Sequence, residues 1–159
     1  MTRSIARIRV ASEKNIDDLV TLITAFRDHL GQNFPNKAEI FISLKRLIAE
    51  DTVEFLIAYD GNNVAIGYTQ TRYFYSLWST GLEAQIEDLF LLSFVRGRGL
   101  GSQLVQCVID RARERNCCLL VLNTNEYNTN ALRLYTKMGF AAERSRWQGG
   151  RQLWLQFSL

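Results

Sequence analysis

Arg96-Gly97-Arg98-Gly99-Leu100-Gly101-Ser102 lies between an apolar run, Ile86 to Leu92, and a helical apolar pattern from Leu104 to Ala112. The run predicts a strand and the pattern predicts a helix, so the glycines occupy a strand-to-helix loop. Glycine lets the backbone pass close to a bulky anion, and the amide groups that begin a helix lie at the positive end of its dipole. With Arg96 and Arg98 as further donors, the loop predicts a pyrophosphate-binding site; the alternative is a turn with solvated arginines.

The glycine spacing argues against two common nucleotide-binding loops. A P-loop requires Gly-x4-Gly-Lys-Ser/Thr, and no lysine follows these glycines. A dinucleotide fold requires Gly-x-Gly-x-x-Gly, but the third position is Ser102 when counted from Gly97 and Leu104 when counted from Gly99. That fold also needs an acidic residue about twenty positions later, where this chain has the apolar run Leu119 to Leu122.

Two motifs together match a known family. Arg96, Gly99 and Gly101 match the pattern Arg/Gln-x-x-Gly-x-Gly/Ala. A second block, Asn128 to Phe140, matches Asn-x-x-Ala-x-x-x-Tyr-x-x-x-Gly-Phe, and one helix and one strand are predicted between the two blocks. The chain therefore resembles the GNAT superfamily of acyl-CoA-dependent N-acyltransferases.

Hydrophobic periodicity predicts the element order β-α-α-β-β-β, glycine loop, α-β-α-β-β. Asn15 is expected to cap the first helix and Gly31 to end it. Strands outside the loop region are predicted at 5–10, 53–59, 64–75 and 152–158. The order is similar to the GNAT fold: an α/β protein of the α+β type, with a mixed, twisted, mostly antiparallel sheet of about seven strands and helices on both faces.

Composition limits the other classes of protein that the chain could belong to. A length of 159 residues suits one domain, 1–159, and a net charge of +3 does not favour a nucleic-acid partner. No apolar stretch approaches the ~18 residues of a membrane span, and residues 1–5 lack a secretory signal, so a cytoplasmic location is expected. Three cysteines without a Cys-x-x-Cys pair, and a single histidine, predict no metal site.

The resemblance implies acetyl-CoA as the co-substrate and places its binding residues. The backbone groups of Leu89, Phe90 and Leu91 would pair with the pantetheine arm as an added strand does. The loop residues Gly97 to Ser102, with Arg96, would hold the pyrophosphate. Three residues of the second block would lie against the same arm: Asn128, Asn130 and Ala131.

The resemblance also implies the catalytic groups. Tyr135 matches the family tyrosine that would reprotonate the departing thiolate as a general acid. An alkyl amine is mostly ammonium at neutral pH, so a base is also needed, and Glu87 and Asp88 stand in an otherwise apolar strand. Because successive strand side chains point to opposite faces, only one of the two is expected to line the cleft. The alternative is that both are solvated at an edge.

The acceptor is expected to be a primary amine that attacks the thioester directly in a ternary complex. The Glu87-Asp88 pair resembles the polyamine and diamine N-acetyltransferase branch, and aromatic residues at Tyr68 and from Tyr73 to Trp78 would form a wall for an ammonium group. Two alternatives stay open: acetylation of a protein or peptide, and a non-catalytic acyl-CoA-binding regulatory module. The expected partners are acetyl-CoA, the small amine and a second copy of the chain in a homodimer.

Overall fold

A computed structural model describes residues 6–142, 153 and 155–159. The chain divides into two compact units, Met1–Asn123, which contains the sheet, and Thr124–Leu159, which contains a further helix. The prediction of a single domain over 1–159 stays a prediction. The helices and strands in chain order are β1 (Arg7–Val10), α1 (Ile16–His29), α2 (Lys37–Ile48), β2 (Val53–Tyr59), β3 (Ala65–Ser76), β4 (Gly81–Leu91), α3 (Leu100–Glu114), β5 (Leu119–Leu122) and α4 (Thr129–Lys137).

The sheet has the strand order β1-β2-β3-β4-β5. Its neighbours are antiparallel except for β4 and β5, which are parallel because α3 crosses between them. Every residue of β2 is buried, as its apolar run Val53-Glu-Phe-Leu-Ile-Ala-Tyr59 predicts for a central strand. The described residues thus form a mixed sheet of five strands, fewer than the predicted seven. Of the predicted strand at 152–158, Gln152 and Trp154 lie outside the described residues, and the other positions there are not in a strand.

Helices cover both faces of the sheet, as the sequence predicts. On one face, apolar side chains of α1 and α2, such as Leu19 and Leu44, pack against Phe55 of β2. On the other face, Ala112 of α3 packs against Tyr73 of β3. None of the helices in the described ranges is long and apolar enough to cross a membrane.

The side chain of Asn15 does not cap α1, so that prediction is wrong. Its Oδ1 accepts the Ser12 backbone N–H at 3.0 Å, and its Nδ2 donates to the Tyr59 hydroxyl at 3.0 Å. That hydroxyl in turn donates to Asp18 at 2.6 Å. The asparagine therefore links the start of α1 to β2 and cannot at the same time close the first helical turn.

A buried carboxylate fastens the C-terminal end of α3 to the sheet. Glu54 of β2 accepts from Arg111 at 2.6 Å and Arg115 at 3.3 Å, both on or next to α3, and from the Tyr73 hydroxyl at 3.2 Å. Burial raises the pKa of Glu54, but the two guanidinium groups and the Tyr73 hydroxyl outweigh it and hold the pKa below its ordinary value. Glu54 is therefore an ionised structural anchor on the α3 face of the sheet.

Candidate active site

The edge of β4 that faces β5 is unpaired over its last residues. The parallel ladder between the two strands begins at Glu83–Leu119 and ends at Ile86–Leu122. Strand β4 continues to Leu91, paired with β3 alone in the described part of the chain. We call residues 87–91 of β4 the open edge. An unpaired row of backbone groups can take up an extended chain as an additional strand.

The backbone alternation decides which groups face this open edge. The Leu92 N–H donates to the Ile66 carbonyl on β3 at 3.0 Å. Because antiparallel pairs alternate, the backbone groups of Leu89 and Leu91 then point away from β3, toward the open edge. Those of Phe90 point toward β3, where Phe90 pairs with Tyr68. Of the three predicted pantetheine partners, Leu89 and Leu91 are therefore oriented for that role, although the Leu91 carbonyl also accepts from Arg96, and Phe90 is not.

Arg96 lies against the end of β4. Its Nε donates to the Leu91 carbonyl at 2.9 Å, and its guanidinium carbon stands 5.6 Å from the centre of the Phe90 ring. Arg98 is exposed in the same loop. The structure thus places the two predicted anion donors differently, with Arg96 held at the open edge and Arg98 in solvent.

The glycine loop has the backbone conformation that an anion-binding turn requires. Gly97 and Gly99 have φ of 74° and 83°, where side chains are rarely tolerated, and no atom lies within 4 Å of the point that a Cβ would occupy at either residue. Gly99 immediately precedes α3, whose first backbone bond runs from Gln103 N–H to the Gly99 carbonyl at 3.2 Å. The amides of 100–102 therefore have no acceptor within the helix and lie at its positive end.

A β-bulge interrupts β4 at the two candidate carboxylates. Gln70 of β3 pairs with Asp88, and the next residue, Thr71, pairs with Ile86, so Glu87 is an extra residue. Glu87 and Asp88 consequently both contact side chains from one face of β3. The prediction that they point to opposite faces is wrong, because the bulge breaks the alternation on which it rests.

The environments of the two carboxylates differ. Glu87 is exposed and already neutralised: Arg72 donates to it at 2.9 Å, and Gln70 donates to its other oxygen. Asp88 is less exposed and accepts the Tyr68 hydroxyl at 3.0 Å. Burial raises the pKa of Asp88, the Tyr68 hydrogen bond opposes that rise, and the charge of Glu87 adds to it. Asp88 is thus the carboxylate of the pair whose pKa burial raises, which favours it as a proton acceptor.

An aromatic surface from α1 borders Asp88 on the same face of the sheet. The Phe26 ring stacks on Phe90 at 5.0 Å and meets Tyr68 edge-on at 6.4 Å, and the His29 ring lies 6.1 Å from Phe90. Sequence reasoning placed Phe26 in the apolar stripe of the first helix but missed this contact, because it depends on where α1 crosses the sheet.

The predicted aromatic wall on β3 is not a single surface. Tyr68 and Tyr73 are an odd number of positions apart, so they face opposite sides of the sheet, and Tyr73 contacts Glu54 and α3. Tyr75 and Trp78 are exposed where the hairpin turns. The expectation of one wall is therefore wrong for Tyr73, whereas Phe74, six positions from Tyr68, lies on the Tyr68 face of β3 by the same period-two rule.

The second unit carries the remaining predicted residues. Tyr135 lies in α4 with its ring centre 5.7 Å from that of Phe140, and burial raises the pKa of its hydroxyl. Asn128 precedes α4 and accepts the Ala131 N–H at 3.4 Å, which makes it a helix cap. Asn130 and Ala131 occupy the first turn. Their roles toward a cofactor stay predictions.

Comparison with known proteins identifies the family. Residues 21–140 match the Acetyltransferase (GNAT) family. The IAA acetyltransferase of Azospirillum brasilense is 27% identical over 84% of this chain and 84% of its own. Thialysine N-epsilon-acetyltransferase of Mus musculus is 28% identical over 60% of this chain and 52% of its own. A solved aminoglycoside N-acetyltransferase in complex with CoA superposes with a TM-score of 0.80 at 18% identity, covering 98% of this chain and 97% of that one. The chain therefore belongs to the GNAT family and is an acyl-CoA-dependent N-acetyltransferase.

Proposed function

We propose that this protein transfers the acetyl group of acetyl-CoA to a primary amine of a small cationic molecule, such as a diamine or polyamine. The observation that carries the proposal is the bulge, which brings Glu87 and Asp88 to one face of β4 next to its open edge. Two carboxylates beside aromatic rings suit an aliphatic ammonium group. The names of two relatives, which act on IAA and on thialysine, also favour a small acceptor.

Different residues would bind different parts of the co-substrate. Acetyl-CoA supplies a thioester whose acyl carbon is the electrophile. The backbone of Leu89 and Leu91 suits the amides of an extended pantetheine arm, and the loop amides at the start of α3 suit its pyrophosphate. The open space at Gly97 and Gly99 lets a bulky anion approach the backbone.

The proton transfers follow from the acidity of each group. An alkyl ammonium is about three pH units too basic to be neutral at pH 7, which costs about 4–5 kcal/mol. Asp88 accepts this proton, directly or through a water, and the amine nitrogen then attacks the acyl carbon. As the C–N bond forms and the C–S bond breaks, the thiolate takes a proton from the hydroxyl of Tyr135, and the second proton that the nitrogen loses on becoming an amide passes through water to the Tyr135 phenolate.

Thiol release from acetyl-CoA should be faster with diamines than with other acceptors. We expect kcat/KM for a diamine to exceed that for a monoamine with an uncharged body by about tenfold, because the second ammonium also meets a carboxylate. The acceptors compared in this assay also include a lysine peptide, and a reaction without amine is run beside them. A preference for the peptide would make the chain a protein acetyltransferase, and cofactor binding without release on any amine would make it a regulatory module.

Gly99→Asp should weaken acetyl-CoA binding by about tenfold or more. The substitution strains a left-handed backbone position and sets a carboxylate against the pyrophosphate. Gly31→Asp is the matched control, because Gly31 also has a positive φ, 68°, with no atom within 4 Å, but lies after α1. Isothermal titration calorimetry on the two folded variants gives the comparison. Equal affinities would remove the glycine loop from the cofactor site.

The cytoplasmic location and the homodimer stay predictions. They add nothing to the chemistry proposed for the open edge and the two carboxylates.

A further inference from the structure

Tyr68 combines complete burial with a hydrogen bond to a functional carboxylate. Its side chain is 0% exposed, and its hydroxyl donates to Asp88 Oδ2 at 3.0 Å. In the β3–β4 register Tyr68 is opposite Phe90, two positions from the Gln70–Asp88 pair that borders the bulge, and therefore on the same face of the sheet. The ring is held from the side by Phe26 of α1. The donor is therefore rigid, with its orientation determined by three elements of the fold.

The other titratable groups near Asp88 lie on four elements of the fold. Glu87 is its neighbour on β4, and Arg72 of β3 is bonded to Glu87. His29 of α1 and Arg96 of the loop after β4 both lie against the Phe90 ring. Within the described part of the chain, Tyr68 is the hydrogen-bond donor to the Asp88 carboxylate.

The hydrogen bond assigns different tasks to the two oxygens of Asp88. Because Oδ2 accepts from the tyrosine, the side chain cannot rotate freely and Oδ1 is left to accept a proton. Burial raises the pKa of the Tyr68 hydroxyl, so it stays a neutral donor throughout an ordinary assay range. A neutral donor favours the ionised form of the carboxylate that a base requires.

We propose that Tyr68 is a positioning residue, which holds the Asp88 carboxylate ionised and turned toward the acceptor amine. The inference rests on the proposed role of Asp88 as the base. It adds a fully buried residue on the neighbouring strand whose hydroxyl acts through Asp88.

The test is Tyr68→Phe, compared with Tyr73→Phe. Tyr73 is also a buried β3 tyrosine, 2% exposed, that donates to a carboxylate, but this is Glu54 on the opposite face. In Tyr68→Phe the acid limb of the kcat profile should move up by about one pH unit, because the ionised form of Asp88 loses a charged hydrogen bond. In Tyr73→Phe the limb should stay in place, although thermal stability falls in both variants.

A second readout is the carbon-13 titration of the Asp88 carboxyl, assigned by its loss in Asp88→Asn. The Asp88 pKa read from this titration should rise by the same one pH unit in Tyr68→Phe. If that variant does not fold, 3-fluorotyrosine inserted at position 68 makes a stronger donor and should lower the Asp88 pKa. The positioning role is overturned if the Asp88 pKa does not change, or if the acid limb of the kcat profile does not shift together with that pKa. Wild-type kcat in Asp88→Asn would instead overturn the proposed role of Asp88 as the base, while the titration still reports on Tyr68.

Discussion

Asp88→Asn should lower kcat by about 10²–10⁴-fold and leave the affinity for acetyl-CoA unchanged. Asparagine keeps the size of the side chain and still accepts the Tyr68 hydroxyl, but it cannot take a proton from the ammonium group. The loss should therefore appear in the chemical step. Single-turnover rates with a diamine, together with calorimetry for the cofactor, separate the two quantities.

The matched comparison for Asp88→Asn is Glu87→Gln. Glu87 is exposed and shares its charge with Arg72, so we expect the KM for diamines to rise only a few-fold and kcat to stay within a few-fold of the wild-type value. The opposite pattern, with a large loss of kcat in Glu87→Gln and none in Asp88→Asn, would transfer the role of base to Glu87. Wild-type constants in both variants would remove the carboxylates from the site and leave the acceptor unassigned.

Tyr135→Phe should also lower kcat by about 10²–10⁴-fold, with the fold and acetyl-CoA binding retained. A thiolate whose thiol has a pKa of about 8.5 leaves more readily when a phenol can protonate it. Burial raises the pKa of Tyr135, which keeps the hydroxyl protonated and able to donate. The rate of thiol release at saturating amine and acetyl-CoA measures the effect.

Tyr127→Phe serves as the control for Tyr135→Phe. Tyr127 belongs to the same unit and is 86% exposed, so loss of its hydroxyl should leave kcat unchanged. If Tyr135→Phe turned over at the wild-type rate, Tyr135 would be a packing partner of Phe140 and the thiolate would take its proton from water.

Much of the fold follows from local patterns that the sequence displays. The apolar run at Val53 to Tyr59 predicts β2 with the observed bounds, because a fully buried strand needs no information from distant residues. The glycine loop and the helix after it are likewise local, since Gly97 and Gly99 are the residues that tolerate a positive φ. The loop and closing motifs also predicted the family, which the comparison confirms.

The chemistry at the carboxylates was not predictable in the same way. The alternation of side chains along a strand predicts that Glu87 and Asp88 point to opposite faces of the sheet. The β-bulge in β4 instead places both side chains on one face. Tyr68, Gln70 and Arg72 share one face of β3, but Thr69, Thr71 and Tyr73 on the other face are just as polar or aromatic, so the sequence carried no signal for which face serves the site. It could not show which residue meets which carboxylate.

The sequence by itself determined the family, the element order from β1 to α4, the glycine loop and the identity of the candidate acid and base residues. The tertiary structure alone decided that β4 extends beyond its last pair with β5. It also decided that Tyr68 donates a hydrogen bond to Asp88, 20 positions away in the chain. It also decided that Arg72 offsets Glu87 and that burial shifts the pKa of Asp88. Motifs record the residues along one segment, but strand register, burial and proton affinity depend on pairings between segments distant in the chain.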